Sequence, residues 1–556
     1  MTNSYIKEYW DAIQSGKRVV GWKIKAIIRH LLDSMEDERF EFKPEYAHKR
    51  MAWQEKYSKQ GYDPFYGKPI QLMDWQKAFW EAYYGFYMKD TGMRRYTESH
   101  VEIGRKNGKS TMLASDNNYD LFVGQGGVSI CCASNDDRQA KLIWKETAGM
   151  QQRLDPKGKR TRHNLVEIVN HKKNITVFRL SSKTQNKDGF NCKKVVYDEV
   201  HDAPDDEIYD ALKRAQSTHK DKSFISCSTQ GVVVDGFYDR LLSRANAVIE
   251  EPESDLHFLP FLFEQDSENE VWQGNRENRL WEKSNPSLPY GVKTYEYLEE
   301  QIALARIDKQ ARIKMLVKDF NIKQNNAEAW LMLEDIESEE EFDLEEFRHC
   351  FYLGGADFSE TNDLTAITLL FMKPDSNKKY ILTKYFLPVE KIQNSTDSGA
   401  RYKDWLKDGL IIPTDDYDND ITKVADWLFK LYKDYDMKPY RVGFDKWQSK
   451  PFTKRMEELF YDDTCEAIKQ SKLALNAPIR LVEDELKAKN INYNKNPILK
   501  WNLINAVLEV DSRDKAQIVK PKNQPYKKID GAVTMVLAFK MLQQHRDDFM
   551  KLVNRR

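Results

Sequence analysis

Val101-Glu102-Ile103-Gly104-Arg105-Lys106-Asn107-Gly108-Lys109-Ser110-Thr111 reads as a short strand that runs into a Gly-Lys-Ser turn. A turn of this composition at a helix N-terminus aims backbone N–H groups, and the positive end of the helix dipole, at phosphate. In such a turn Lys109 reaches the β- and γ-phosphates and Ser110 holds Mg²⁺. Gly104, Arg105, Asn107, Gly108 and Thr111 shape the rest of the cradle. Three residues separate Gly104 from Gly108, one fewer than the usual phosphate loop. A glycine turn with a surface lysine is the plainer alternative.

Downstream, Val195-Val196-Tyr197-Asp198-Glu199 is an apolar run closed by two carboxylates. Continuous apolar runs mark buried parallel strands, and doubly wound sheets gather ligands at strand carboxyl ends. Asp198 is therefore expected at the Mg²⁺ held by Ser110, and Glu199 beside the attacking water. Ser223 to Cys227 reads as another strand, and Ser228-Thr229-Gln230-Gly231 follows it with hydroxyls and an amide able to sense a γ-phosphate.

Strands are expected at 99–103, 127–133, 175–181, 194–198 and 223–228, with helices such as 135–152 and 206–218 between them. This alternation implies a mainly parallel sheet. Residues 1–60 read as helical, and Leu72-Met73-Asp74-Trp75-Gln76 opens a helix running through Tyr87. The 556 residues carry 87 Lys and Arg against 88 Asp and Glu, so any nucleic-acid contact must come from local patches. No apolar stretch nears the ~20 residues of a membrane span, and Met1 to Lys17 lacks a signal-peptide core. Cys131, Cys132, Cys192, Cys227, Cys350 and Cys465 are scattered without zinc spacing and read as reduced interior thiols of an intracellular protein.

Around 323–345 an acidic stretch suggests a solvated linker, and a second α/β pattern begins at 350. The expected divisions are a helical segment 1–60, a phosphate-loop domain 61–325, a linker 326–346, a second domain 347–545 and a frayed tail 546–556. In the second domain, Phe351 to Asp357 is a strand ending in aspartate, and a turn holding Asp363 leads to a strand from Thr365 to Phe371. Arg441 to Asp445 is a later strand ending in aspartate, and Lys528-Ile529-Asp530-Gly531 opens a helix. Acids on a first strand, a later strand and a C-terminal helix form a ribonuclease-H-type order. Clustered carboxylates of this kind hold two divalent metals against a phosphodiester, and hard oxygen donors suit Mg²⁺ or Mn²⁺. Aspartates at strand ends by chance are the plainer alternative.

Together these segments resemble the large terminase subunit of tailed bacteriophages, in which a packaging ATPase precedes a ribonuclease-H-like nuclease. The resemblance runs from Trp75 to Ala538 and includes the shortened phosphate loop, Asp188-Gly189-Phe190-Asn191 and Glu199-Val200-His201. It also includes Trp281 with Asn285-Pro286-Ser287, Gly354-Gly355-Ala356-Asp357, Asp363-Leu364-Thr365, Trp501 with Asn505, and Lys528-Ile529-Asp530. Ala356 and Phe358 depart from the commoner residues beside the first acid. The implied fold class is α/β, an N-terminal P-loop ATPase with a mainly parallel sheet followed by a ribonuclease-H-like α/β nuclease domain.

The resemblance implies that Trp75-Gln76 reads the adenine, that Ser228 and Thr229 couple hydrolysis to motion, and that Arg105 is an arginine finger unless a neighbouring subunit supplies one. It implies Glu199 as the ATPase catalyst, and Asp357, Asp445 and Asp530 as catalytic and metal-binding nuclease acids that converge. Asp363 matches as a turn cap. The implied cofactors are ATP and Mg²⁺, with Mn²⁺ an option in the nuclease. The implied partners are double-stranded DNA, a small terminase subunit and the procapsid portal. The implied states are a homo-oligomeric ring when docked and a monomer in solution, in the host bacterial cytoplasm and away from membranes. Lys183, Lys187, Lys446, Lys450 and Lys454 are candidate DNA contacts. Two other readings are a helicase or remodelling ATPase with a non-catalytic C-terminal DNA-binding module, and a structural switch that uses ATP without translocation.

Overall fold

The computed structural model describes residues 4–181, 191–203, 205–232, 236–324, 329–359, 364–394, 400–415, 419–445, 449–511, 515–521 and 527–555. The chain divides into two compact units, Met1–Gln324 and Asn325–Arg556.

The first unit opens with helices Tyr5–Gln14, Trp22–Glu36 and Pro44–Tyr57, with strand β1 (Phe40–Phe42) between the last two. Helix Asp74–Gly85 leads into β2 (Phe86–Met88), which pairs antiparallel with β1. Two expectations are corrected here. Residues 1–60 are not wholly helical, and the helix expected to reach Tyr87 stops at Gly85. Phe86 and Tyr87 favour a pleated surface, and a Cβ on Gly85 would stand 3.2 Å from the Phe42 ring. The N-terminal helices share one core with the helix that follows, through Ile6, Ile28, Met51, Trp75, Phe79 and Trp80.

The central sheet is built from β3 (Glu98–Glu102), β4 (Ser129–Ser134), β5 (Thr161–His163), β6 (Glu167–Asn170), β7 (Ile175–Leu180), β8 (Lys194–Asp198), β9 (Ser223–Ser228) and β10 (Phe258–Leu262). Their spatial order is β10-β3-β9-β8-β4-β7-β6-β5. Pairing is parallel from β10 to β7, and β6 and β5 add an antiparallel edge. All five residues of β8 are buried, as a strand flanked on both sides by parallel neighbours requires. Helices Lys109–Val123, Asp137–Leu154 and Glu207–Arg214 fill the connections.

The second unit holds β11 (Phe351–Asp357), β12 (Thr365–Met372), β13 (Lys379–Leu387), β14 (Ile411–Pro413), β15 (Lys438–Asp445), β16 (Cys465–Ile468) and β17 (Ile491–Asn492) in one sheet. The order is β14-β13-β12-β11-β15-β16, with β17 beside β13. The strands β11, β12 and β13 are antiparallel neighbours, whereas β15 and β16 add on in parallel. β18 (Val507–Val510) and β19 (Ala516–Val519) form a separate hairpin. The final helix, Asp530–Asn554, crosses the sheet so closely that a Cβ on Gly355 would lie 2.1 Å from Thr534 O.

Two further expectations change. The acidic stretch expected as a solvated linker packs onto the second unit through buried Trp330, Ile336, Phe342 and Phe347, with Trp330 N–H donating to Ala506 O at 2.8 Å. Its acids had masked an apolar residue every few positions. The frayed tail expected for 546–556 is instead helical to Asn554, past a kink at His545, and buries Phe549 and Val553. Among the described residues, no helix is long and apolar enough to cross a membrane.

Candidate functional site

The phosphate loop sits between the carboxyl end of β3 and helix Lys109–Val123. Gly108 caps that helix at φ 87°, ψ 12°, a left-handed conformation that glycine adopts freely. A Cβ there would also press on Met73 Cε at 3.0 Å and Gln76 Nε2 at 3.4 Å. Gln76 is buried against the loop, and its Oε1 accepts from Met73 N–H at 3.0 Å.

The shortened loop is braced from outside. Asn107 Nδ2 donates to Gly104 O at 2.8 Å and to Asn285 Oδ1 at 2.9 Å. Asn107 Oδ1 accepts from Ser287 N–H at 3.1 Å and Ser287 Oγ at 2.6 Å. Gly104 N–H donates to Ser284 O at 3.1 Å, and Arg105 N–H to Lys318 O at 2.8 Å. Lys293 Nζ ties Asn285 Oδ1 to Asp319 Oδ1, at 2.8 and 2.7 Å. A Cβ on Gly104 would come within 2.7 Å of both Asn285 Oδ1 and Asp319 O, so the loop and its brace fit only with glycine there.

Lys109 lies in the first turn, buried, with no hydrogen bond at Nζ and with Glu199 Oε1 at 3.9 Å. A buried ammonium without a donor–acceptor partner is costly, and this one stands where a phosphate oxygen would satisfy it. Burial alone would lower its pKa, but Glu199 and Asp198 raise it, so it stays charged. Ser110 is half-buried beside it and Arg105 is exposed. Thr111 Oγ1 donates to the buried Glu146 carboxylate.

Asp198 ends β8 and accepts from Glu199 N–H at 3.0 Å and Cys227 Sγ at 3.1 Å. Burial raises its pKa, with Lys109 opposing and Glu199 adding to the rise. Glu199 turns at φ 53°, ψ 49°, left-handed although it is not glycine. Burial would raise its carboxyl, but Lys109, His201 and Lys318 outweigh that and hold it far below the usual range.

Ser228 lies in the same network: His201 N–H donates to its Oγ at 3.1 Å, and His201 Nδ1 stands 2.8 Å away. His201 Nδ1 is also 3.2 Å from Glu199 Oε2. Lys318 Nζ contacts His201 Nε2, Thr229 Oγ1 at 3.4 Å and Gln230 O at 3.3 Å. Burial pushes Lys318 down to about 8, with Asp202 and Glu199 opposing. Sequence reasoning missed Lys318 altogether, because a lysine inside a helix 209 positions after Lys109 carries no motif. It noticed Asn285 and Ser287 only as part of the resemblance, without their role on the loop.

In the second unit, Asp357 ends β11 and Asp445 ends β15, adjacent parallel strands in which Ala356 pairs with Phe444. Side chains two apart share a face. Cβ atoms on Gly355 and Gly443 would meet Thr534, Ala538 and Met541 of the final helix, so Asp357 and Asp445 belong to the helix-covered face. Asp530 opens that helix and is buried. Its start is anchored over β13: Gly531 N–H donates to Asn502 Oδ1 at 2.8 Å, and a Cβ on Gly531 would lie 2.1 Å from Tyr385 Oη. Tyr385 pairs with Ala366, which pairs with Asp357. Two strand spacings, roughly 9.6 Å, therefore separate the backbones of Tyr385 and Asp357. All three acids serve one face, yet among the described residues no three His, Cys, Asp or Glu side chains gather into a metal site.

Lys183, Lys187, Asp188, Gly189, Phe190, Asp363 and Lys446 lie outside the described residues. Lys450 and Lys454 are exposed on helix Lys450–Leu459.

Residues 74–247 match the family model described as terminase large subunit, ATPase domain, and residues 252–546 match terminase large subunit, endonuclease domain. The chain is 21% identical over 484 residues to the terminase large subunit of Lactococcus phage p2, covering 85% of this chain and 87% of that one. It is 22% identical over 486 residues to the terminase large subunit of Enterobacteria phage HK97, covering 85% and 90%. The crystal structure of the HK97 bacteriophage large terminase aligns with TM-score 0.45 at 20% identity, over 90% of this chain and 100% of that one. The stretch 252–324 matches with the endonuclease in sequence but folds in the first unit, where it supplies Asn285, Ser287 and Lys318 to the phosphate loop.

Proposed function

The chain belongs to the terminase large subunit family, whose members join an ATPase domain to an endonuclease domain, and on that premise we propose how its residues divide the work. It hydrolyses ATP to drive viral DNA packaging and cuts the DNA concatemer. The two domains imply ATP and a divalent metal. A helicase reading loses its ground, because the second unit matches an endonuclease and not a second ATPase lobe.

One observation carries the ATPase assignment: Lys109 Nζ is buried without a hydrogen bond, beside Asp198 and Glu199, at the mouth of a left-handed glycine turn. Loop N–H groups and Lys109 hold the β- and γ-phosphates. Gln76 recognises the adenine from beneath Gly108, and Gly104, Asn107 and Thr111 keep the cradle in shape. Glu199, held ionised by its cationic neighbours, accepts a proton from the attacking water. Lys318 and Arg105 stabilise the charge that develops on the transferring phosphoryl. Ser228 reports through His201 and Thr229 through Lys318, so that loss of the γ-phosphate is felt after β9.

Ser110 and Asp198 would hold Mg²⁺ in the ATPase, where it neutralises phosphate charge. In the nuclease, Asp357 and Asp445 are hard oxygen donors at adjacent strand ends that would hold Mg²⁺ or Mn²⁺, with Asp530 at the start of the covering helix as the third candidate. Such a metal stabilises charge on the scissile phosphate. The partners are double-stranded DNA, a small terminase subunit and a portal. The working state is a ring on the procapsid and a monomer in solution, in the host cytoplasm.

Lys109→Ala should abolish ATP hydrolysis, by 10²-fold or more at about 2.7 kcal/mol of lost stabilisation, and leave metal-dependent DNA cleavage intact. Asp357→Ala should do the reverse. Phosphate release and plasmid nicking measure both, and loss of both activities in either variant would count against two separate sites.

A further inference from the structure

The antiparallel edge of the ATPase sheet takes no part in the nucleotide chemistry. The residues there are Lys157-Gly158-Lys159-Arg160-Thr161-Arg162-His163-Asn164-Leu165-Val166 in β5 and its turns, with Lys172 beyond β6. Lys157, Lys159, Arg160, Arg162 and Lys172 are all exposed, and none has a carboxylate within ion-pairing distance among the described residues. In a chain of net charge −1 this is a concentrated local excess. The nearby Asp155 does not neutralise it by pairing, because its carboxylate is taken by the turn: Lys159, Arg160 and Thr161 N–H donate to it at 2.9, 2.7 and 2.8 Å.

The hairpin is held in a definite shape. Asn164 Oδ1 accepts from Val166 and Glu167 N–H at 2.8 and 2.9 Å, and Gln151 Oε1 contacts His163 Nδ1 at 3.0 Å. The tip nevertheless presents Leu165 and Val166 to solvent, 81% and 50% exposed. Thr161, the first residue of β5, is buried, and Arg160 just before it and Arg162 just after it are both exposed. Two residues of extended chain span about 6.7 Å, close to the axial rise of two phosphate steps, about 6.8 Å, on one DNA strand. Cations on an edge strand also discourage sheet-to-sheet pairing. β5 is only three residues long and follows Pro156, so it offers little edge to protect.

We infer that the β5–β6 hairpin is a grip on the backbone of double-stranded DNA. Arg160, Arg162, Lys157, Lys159 and Lys172 contact phosphates, and the Leu165–Val166 tip lies against the sugar walls of a groove. Contacts of this kind read no bases, as a motor that crosses any sequence needs. The inference rests on the packaging function and adds to it where the DNA is held.

The test is binding of the full-length chain to a short duplex of mixed sequence, titrated between about 50 and 200 mM salt. Each phosphate contact contributes about 0.9 to the slope of log affinity against log salt. Replacing Lys157, Lys159, Arg160 and Arg162 with Gln should lower that slope by about 3.6 while basal ATP hydrolysis without DNA stays unchanged. The pair Lys157→Gln with Lys159→Gln lies outside the strand and should lower it by about 1.8, which secures the result if the fourfold variant folds poorly. Leu165→Ser should weaken binding without altering the slope. A parent chain that binds duplex with a slope the Gln variants leave unchanged would overturn the hairpin inference and leave the packaging function standing. A parent chain that does not bind duplex at all would overturn both.

Discussion

Gly355→Ala tests whether the final helix sets the geometry of the nuclease. The added Cβ would stand 2.1 Å from Thr534 O, 2.5 Å from Ala538 N and 2.8 Å from Leu537 Cβ. Comfortable contact is about 3.5 Å or more, and two of the three atoms are backbone that cannot rotate away. The helix must withdraw from β11 by about 1 Å or more, carrying Asp530 with it. Overpacking of this kind costs about 1–3 kcal/mol of stability, and a misplacement of about 1 Å costs on the order of 10²-fold in rate. Metal-dependent plasmid nicking should therefore fall by about two orders of magnitude while ATP hydrolysis is retained. Gly354→Ala is the matched control. Its nearest atoms would be the Val442 side chain, at 3.2 and 3.3 Å from the two methyl groups and 3.6 Å from Cβ, so a shift of a few tenths of an ångström suffices. Gly355→Ala with cleavage near the parental rate would show that the helix does not position the acids.

Glu199→Gln should bind ATP yet hydrolyse it very slowly, since an amide cannot accept the proton of the attacking water; calorimetry and phosphate release separate the two, and lost binding would make Glu199 structural. Asn285→Ala should remove one of the two acceptors of the buried Lys293 ammonium, which keeps Asp319, and one acceptor of the Asn107 amide, at about 1 kcal/mol, and lower hydrolysis with little effect on DNA cleavage. Lys318 is charged below about 8 and neutral above it, so hydrolysis should decline as pH rises through about 8. Lys318→Arg should remove that limb of the pH–rate profile, and an unchanged limb would dissociate it from Lys318.

The parallel core was legible because burial on both faces forces apolar runs, as in Val195-Val196-Tyr197 of β8, and because small Ser and Cys flank Phe224-Ile225 in β9, so both strands appear at the expected residues. Asp198 and Glu199 were legible as the polar close of that run, and they stand beside Lys109 at its end. The 329–347 stretch was misread because its acids lie on the surface while Trp330, Phe342 and Phe347, spaced irregularly, do the packing. The brace on the phosphate loop was hidden because Asn107 meets Asn285 across 178 positions, and a polar pair that far apart leaves no periodic signal. Asp357 and Asp445 could be read as strand ends, but the position of Asp530 depends on how Asn502 and Tyr385 seat the helix.

The left-handed turn at Glu199 sets endurance against turnover. A residue with a Cβ held at φ 53° costs about 1–2 kcal/mol relative to glycine. Selection for heat resistance alone would favour glycine or asparagine there, and would erase the carboxylate that the proposed hydrolysis needs. A glutamate in so unfavourable a backbone leaves the fold a small permanent deficit at this position, as Lys106, Arg279 and His349 do at theirs. A thermally hardened derivative of this chain should be checked first at residue 199, because the easiest gain in melting temperature would come with a silent motor.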